Sequence, residues 1–144
     1  MQQKPLKTDY AYFAGLVDGE GCIGVYSRVQ GGFQLRIQVC MAEYPIMHWA
    51  QRTFGGSLNR KAKQLQWKTR PHRQMWVWVV SDATAERVLR ALLPHFKGKK
   101  AEALVALRFR KHVTKLGGRT TAVDLKAQER LAQKLKQLKR REYV

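Results

Sequence analysis

Acidic residues are few in this 144-residue chain: 10 Asp and Glu stand against 28 Lys and Arg, a formal charge of +18. So large an imbalance repels itself in a compact state, and it points to a polyanionic partner, nucleic acid before an anionic membrane. Cysteine is limited to Cys22 and Cys40, both in strand-like segments and without C-x2-C spacing, so they read as reduced structural thiols. The histidines (His48, His72, His95, His112) are too scattered for zinc-type spacing. No apolar run reaches the ~20 residues of a membrane span. The segment from Met1 to Thr8 is polar and lacks a secretory pattern. These absences leave the expectation of a soluble intracellular protein of one domain, in the cytoplasm, nucleoid or an organelle matrix, and not secreted.

The basic residues are not gathered in a tail. They recur at Arg28, Arg36 and Arg52 and in the runs 60–63, 68–73, 97–100, 108–115 and 134–141, interleaved with apolar side chains, as on a folded basic surface. The apolar pattern predicts a helix over 9–18, capped by Thr8 or Asp9 and ended by Gly19 and Gly21. Segments 22–29 and 33–41 read as a hairpin turning at Gln30-Gly31-Gly32. In the second of these, Phe33, Leu35, Ile37, Val39 and Met41 alternate with Gln34, Arg36, Gln38 and Cys40. Pro45 suits the first turn of a helix striped by Ile46, Met47, Ala50 and Phe54 and closed by Gly55-Gly56.

Strands are expected over 57–63 and 74–80, the latter with Trp76, Trp78 and Val80 on one side, separated by a basic loop. Ser81 and Asp82 would cap a helix carrying Val88, Leu89, Leu92 and Leu93, ending near Pro94. Another helix is expected over 99–112, with Ala101, Leu104, Val105 and Phe109 buried. After Gly117-Gly118, Thr121 and Asp124 resemble a capping box for a last helix striped by Ala127, Leu131, Leu135 and Leu138. The class is α+β: one antiparallel sheet, helices on one face, the other face polar and basic. Residues 1–116 are expected to form the core, and 117–144 a basic helical extension of the same domain.

Phe13 to Gly21 reads Phe-Ala-Gly-Leu-Val-Asp-Gly-Glu-Gly. It resembles the LAGLIDADG signature, with conservative changes: Phe for the first Leu, Val for Ile, Gly for Ala and Glu for the last Asp. The resemblance extends over roughly residues 10 to 112, through the order of segments, the Phe54-Gly55-Gly56 helix end, the Trp-rich fourth strand and the Leu-Leu-Pro…Lys segment. The chain is thus similar to the single-motif, homodimeric LAGLIDADG homing endonucleases. That resemblance implies an α-β-β-α-β-β-α core with a saddle-shaped antiparallel sheet, here with an added C-terminal helix.

It also implies that the motif helices of two copies pack together through Phe13, Ala14, Gly15, Val17 and Asp18. Small Ala14 and Gly15 would let them approach closely, with Glu20 just beyond the helix end beside its twin. Paired carboxylates converging on phosphates need divalent cations between them, and Mg2+ is a hard ion that bridges carboxylate and phosphate oxygens. Such metals lower the pKa of attacking water and stabilise attacking and leaving oxygens. The implied ligands are the Glu20 carboxylate and the Gly19 carbonyl, with Mn2+ as a substitute ion and Ca2+ binding without supporting cleavage. A basic residue near the scissile phosphate is also implied. Lys97 matches best, with Lys99 and Lys100 as alternatives, to stabilise developing charge or orient water. Asp18 reads more readily as a hydrogen-bonding residue that holds the motif together. One position departs from the pattern: where the family often has Gln or Asn at the end of the second strand, this chain has Met41, so either the register of the match is shifted, Gln38 or Glu43 substitutes, or cleavage is weakened.

A basic two-stranded ribbon fits the major groove of B-DNA. The outward set is Gly24, Tyr26, Arg28 and Gln30 on the first strand, Gln34, Arg36 and Gln38 on the second, and Ser57, Asn59, Lys61 and Lys63 on the third. Arg suits guanine, and Gln and Asn suit adenine, and these strands contain no acidic residue. Val77 and Val79 would share that side on the fourth strand. Arg70, His72, Arg73, Lys115, Arg119 and parts of the last helix read as phosphate contacts. The expected function is therefore a site-specific endonuclease, acting as a homodimer on a long near-palindromic double-stranded DNA target. It would make a metal-dependent double-strand break that initiates intron or gene homing. The alternative is a non-cleaving binder on the same fold, an RNA maturase with intron RNA as ligand or a DNA-binding regulator.

Overall fold

The computed structural model describes residues 4–62, 73–113 and 122–140. The alternation between Phe33 and Met41 is realised as the central strand of a four-stranded antiparallel sheet. The elements run α1 (Lys7–Glu20), β1 (Gly21–Ser27), β2 (Phe33–Met41), α2 (Tyr44–Phe54), β3 (Ser57–Arg60), β4 (Trp76–Ser81), α3 (Asp82–Leu92), a short 3-10 turn (Leu93–His95), α4 (Lys100–Lys111) and α5 (Ala122–Lys139). Strand order across the sheet is β1-β2-β4-β3. Register places Ile23 opposite Ile37, Val25 opposite Leu35 and Val39 opposite Trp78, so these residues share one face. All of them are buried beneath the helices. The opposite face carries Cys22, Gly24, Tyr26, Gln34, Arg36, Gln38, Cys40, Val77, Val79, Ser57 and Asn59.

Phe13 fixes where α1 lies. Its ring stacks on Phe54 at 4.4 Å and meets Trp78 edge-on at 4.9 Å, both favoured aromatic geometries. Trp78 is itself fully buried and satisfies its indole N–H on the Gly55 carbonyl at 2.8 Å. That bond needs the α2–β3 connection pressed against β4. Gly56 makes it feasible: it has φ of 90°, and a Cβ there would collide with the Val79 carbonyl. α5 joins the same core through Leu131, Ala132 and Leu135. Its buried Gln128 donates to the His112 carbonyl at the end of α4 (2.8 Å).

Several element boundaries move. α1 is longer than the expected 9–18, because Asp9 stands at its third position and accepts from the Leu6 N–H at 2.8 Å instead of capping with its own backbone. Glu20 is consequently the last residue of the helix, not a residue beyond it. β1 ends at Ser27, where the turn closes through the Arg28 N–H to the Gly32 carbonyl. β3 stops at Arg60, although the Lys61 N–H still bonds the Met75 carbonyl; Lys63 lies outside the described residues. β4 starts two residues late, at Trp76, and the Ser81 side chain makes no cap to α3.

The buried face of α4 also differs. Leu104 is exposed and Ala101 half-buried, while Glu102 and Arg110 are buried. α4 is covered on two sides, by the sheet and α3 and by α5, so its apolar stripe is not a single line. Thr121, the expected cap of α5, lies outside the described residues.

Candidate active site and nucleic-acid interface

The C-terminal end of α1 gathers the chemistry. Glu20 is exposed, and it makes no hydrogen bond or ion pair among the described residues. Gly19 is exposed beside it, in the last turn, where helix carbonyls have no intrahelical partner. One chain thus offers a carboxylate and a main-chain carbonyl, both hard oxygen donors suited to Mg2+ or Ca2+. Among the described residues no group of three or more His, Cys, Asp or Glu side chains could hold a metal. The donor set fits a divalent cation only as half of a site, the remainder coming from phosphate oxygens, water or a second carboxylate.

Of the lysines after the 3-10 turn, Lys97 is tied to this end only through its backbone N–H, which donates to Asp18 Oδ2 at 2.8 Å; its side chain is exposed. Lys99 is tied twice. Its N–H donates to Asp18 Oδ1 at 2.8 Å, and its ammonium donates to the Asp18 carbonyl at 2.6 Å. Lys100 opens α4 and is exposed. The cation brought to the motif is that of Lys99. Spacing alone could not rank the three lysines, because the choice depends on how Asp18 folds the 97–99 loop.

The expected helix-pair contacts need correction. Phe13, Ala14 and Val17 are completely buried in the chain's own core, so they have no surface left for a second copy. Gly15 and Gly19 lie on the open side of α1, where an added Cβ would meet nothing within 4 Å. Ala11 and Tyr12 continue that side toward the N-terminus. A cleft lined by Ala11, Gly15, Asp18, Pro94, His95, Phe96 and Lys97 runs along it, with a volume of about 360 Å³.

Met41 packs against the core on the helix-facing side of the sheet, where it supplies no polar group. Neither expected substitute stands in for it plainly. Glu43 is ion-paired with Arg73 at 2.8 Å, and Gln38 sits on the open face opposite Cys22 and Val79.

That open face is basic and polar. Tyr26 lies back along β1 over Gly24, where any Cβ would collide with its ring, and its hydroxyl is 3.6 Å from the Cys22 thiol. Burial, and then the Cys22 thiol, push the Tyr26 phenol up to about 12 against the lowering pull of Arg36. Tyr26 therefore stays a neutral donor and acceptor at physiological pH. The Arg36 guanidinium lies 5.3 Å from the Tyr26 ring centre and donates to Gln34 Oε1 at 3.2 Å. Lys139, from the end of α5, reaches the same patch: its ammonium is 3.2 Å from Cys22 Sγ and 5.7 Å from the Tyr26 ring centre. Lys139 falls within the basic run 134–141, but only the packing of α5 on α4 carries it to β1.

Asn59 is exposed on β3, and Lys61 follows the strand. Gln30 is exposed in the hairpin turn. Arg28 differs: it pairs with Asp82 at the start of α3. Asp82 also accepts from the Leu35 N–H at 3.3 Å and lies 3.8 Å from buried Arg110, whose Nε donates to Glu86 at 3.0 Å. Lys63, Arg70, His72, Lys115 and Arg119 fall outside the described residues.

Comparison of the whole fold with solved structures is decisive. The homing endonuclease I-CvuI, determined with its target in the presence of Ca, superposes with a TM-score of 0.75 at 23% identity, covering 94% of this chain and 85% of that one. This chain has the fold of the LAGLIDADG homing endonucleases. The archaeal intron-encoded homing endonuclease I-Vdi141I, complexed with DNA, gives the same TM-score of 0.75 at 17% identity, over 94% of this chain and 87% of that one. The LAGLIDADG homing endonuclease I-GzeII, in complex with its DNA target, matches with a TM-score of 0.63 at 16% identity; 92% of this chain covers only 44% of that one. No protein-family model matches the sequence, and no curated protein matches it. In this LAGLIDADG fold, the motif helix, the open sheet face and the Lys99 loop all belong to one continuous unit.

Proposed function

We propose that the chain is a site-specific, metal-dependent DNA endonuclease that acts as a C2 dimer on a long, near-palindromic target. The observation that carries this reading is the exposed, unpaired Glu20 at the end of a helix whose outer side is bare at Gly15 and Gly19. Most other described acids are engaged within the chain, as Asp9, Asp18, Glu43, Asp82, Glu86 and Asp124 are; buried Glu102, with one oxygen unsatisfied, and exposed Glu129 are the exceptions. A carboxylate left free at the negative end of a helix dipole is unfavourable by itself and becomes favourable with a cation. Two copies related by a two-fold axis along α1 would bring two such carboxylates together. The half-length match to I-GzeII supports that arrangement, since this chain corresponds to less than half of that one.

In the dimer, Glu20 and the Gly19 carbonyl would hold Mg2+, with Mn2+ as a substitute and Ca2+ binding without cutting. A bound divalent ion would supply an acidified water and charge neutralisation at the phosphate. Lys99, not Lys97, would face the scissile phosphate. Tyr26, Gln34, Arg36, Gln38 and Asn59 would read base edges in the major groove. Arg73, Lys139 and the outer face of α5 would contact phosphates. The homing role follows the I-CvuI and I-Vdi141I likeness and would place the coding sequence in a mobile intron or gene.

The test is incubation of the purified chain with Mg2+ and a pool of random-sequence duplexes long enough for two half-sites, with sequencing of the cut ends. Recovery of a near-palindromic consensus with short 3′ overhangs is expected. No metal-dependent ends, with tight binding to structured RNA instead, would replace this reading by the non-cleaving maturase.

A further inference from the structure

The last turn of α1 carries two carboxylates, Asp18 and Glu20, and no basic residue, although the helix dipole disfavours negative charge there. Glu20 is left free, but Asp18 is not. One of its oxygens accepts the Lys97 N–H and the other accepts the Lys99 N–H, each at 2.8 Å, across about 80 residues of sequence. These two N–H groups lead directly into α4, whose first turn starts at Lys100 and whose N-terminal end favours an anion. Gly98 lies between them and packs against the Asp18 carboxylate, 3.4 Å separating Oδ1 from the position of a Cβ there. The Asp18 main-chain carbonyl then accepts the Lys99 ammonium at 2.6 Å. One residue therefore grips Lys99 at both its backbone and its tip.

From this geometry we infer that Asp18 is the positioning residue for Lys99: it locks the 97–99 loop onto the end of α1 and sets the ammonium beside Gly19 and Glu20. This rests on the endonuclease reading for its catalytic consequence, but not for its geometry. The carbonyl that holds the ammonium belongs to the residue immediately before Gly19. A lysine free to swing would be driven into solvent by the metal charge at Glu20. Held at both ends, it keeps its place as that charge arrives. Asp18 touches neither DNA nor metal in this account and acts only through Lys99.

Asp18→Asn is the informative variant, because it is isosteric and keeps one acceptor oxygen while its NH2 group faces the second N–H. Amide hydrogen exchange gives the first readout and needs no substrate. In the wild-type protein the Lys97 and Lys99 amides should exchange slowly, and in Asp18→Asn at least one should become fast while the β2 and β4 amides stay protected. Fast exchange at both positions in the wild type, or unchanged slow exchange in the variant, would overturn the clamp. The wild-type measurement decides the matter even if the variant does not fold.

The second readout is a duplex recovered from the random pool, followed in single-turnover cleavage with Mg2+ and in binding with Ca2+. Asp18→Asn should slow cutting roughly 10- to 100-fold with unchanged affinity, the scale expected from losing a charge-assisted hydrogen bond. In a Lys99→Met background the same change should have no further effect on the rate. Equal slowing in both backgrounds would show that Asp18 does not act through Lys99. If the wild type cuts nothing in the pool, the endonuclease reading fails, while the exchange data still settle the clamp.

Discussion

Two neighbouring small residues, Ala14 and Gly15, should respond oppositely to the same change. Ala14 is completely buried against the chain's own core, whereas a Cβ added to Gly15 meets nothing within 4 Å. Ala14→Leu forces extra methylenes into a filled interior, at a cost of about 1–3 kcal/mol to the fold. Gly15→Leu should not destabilise the isolated fold and, by replacing a glycine in the interior of α1, should stabilise it by up to about 1 kcal/mol, because the site is open. In a two-fold dimer packed along α1, however, the new side chain occurs twice at the contact. The overpacking cost then applies to each copy, roughly 2–6 kcal/mol in total, or about 30- to 10⁴-fold in dimer dissociation. Sedimentation equilibrium across a concentration series, with urea unfolding monitored on the same samples, separates the two effects. Gly15→Leu should dissociate while retaining native circular dichroism; Ala14→Leu should lose stability first. A Gly15→Leu protein as dimeric as the wild type would refute the assignment of this helix face.

The remaining predictions concern the groups that shape the sheet. Arg110 is only 6% exposed and bonds Glu86 at 3.0 Å, with Asp82 at 3.8 Å as a second carboxylate, so Glu86→Ala should cost about 1.5–3 kcal/mol in denaturant unfolding, the scale of a lost charge-assisted hydrogen bond. A loss under about 1 kcal/mol, the scale of a surface pair, would contradict that. In a spectrophotometric titration, one of the five tyrosines should ionise late, near 12, and Tyr26→Phe should remove that late step. Because the folded pKa lies above the unfolded one, stability should be unaffected below pH 10 and decline as pH rises from about 10 toward about 12. Simultaneous ionisation of all the tyrosines would contradict the partly desolvated, thiol-contacting placement of Tyr26.

The sheet was legible because a half-buried strand announces its two faces by alternation, and Phe33 to Met41 does so without interruption. The motif helix was harder. Small residues lie on both of its sides, and periodicity does not say which side meets the chain's own core. The three-dimensional answer comes from Phe13, whose stacking with Phe54 and Trp78 turns Ala14 and Val17 inward and leaves Gly15 and Gly19 outside. Long-range polar contacts left no local trace. Arg28 reads as a base-contacting residue until Asp82, 54 positions away, takes its guanidinium. Likewise Lys97 reads ahead of Lys99 from the sequence, and only the Asp18 carboxylate, drawing in the loop between them, brings the Lys99 ammonium to the motif. Leu104 and Arg110 exchange expected roles on α4 because Glu86 and Asp82 are placed to receive a buried guanidinium.

Under the proposed function, the free carboxylate of Glu20 holds a cation at the phosphate. The most direct test is cleavage of a selected target by the wild type and by Glu20→Gln, with Ca2+ binding measured on the same duplex. Glu20→Gln keeps the shape and exposure of the side chain but removes its charge. Glu20→Gln is expected to bind the duplex with near-wild-type affinity and to cut neither strand with Mg2+. Metal-dependent cutting by Glu20→Gln at the wild-type rate would contradict this cation-holding role.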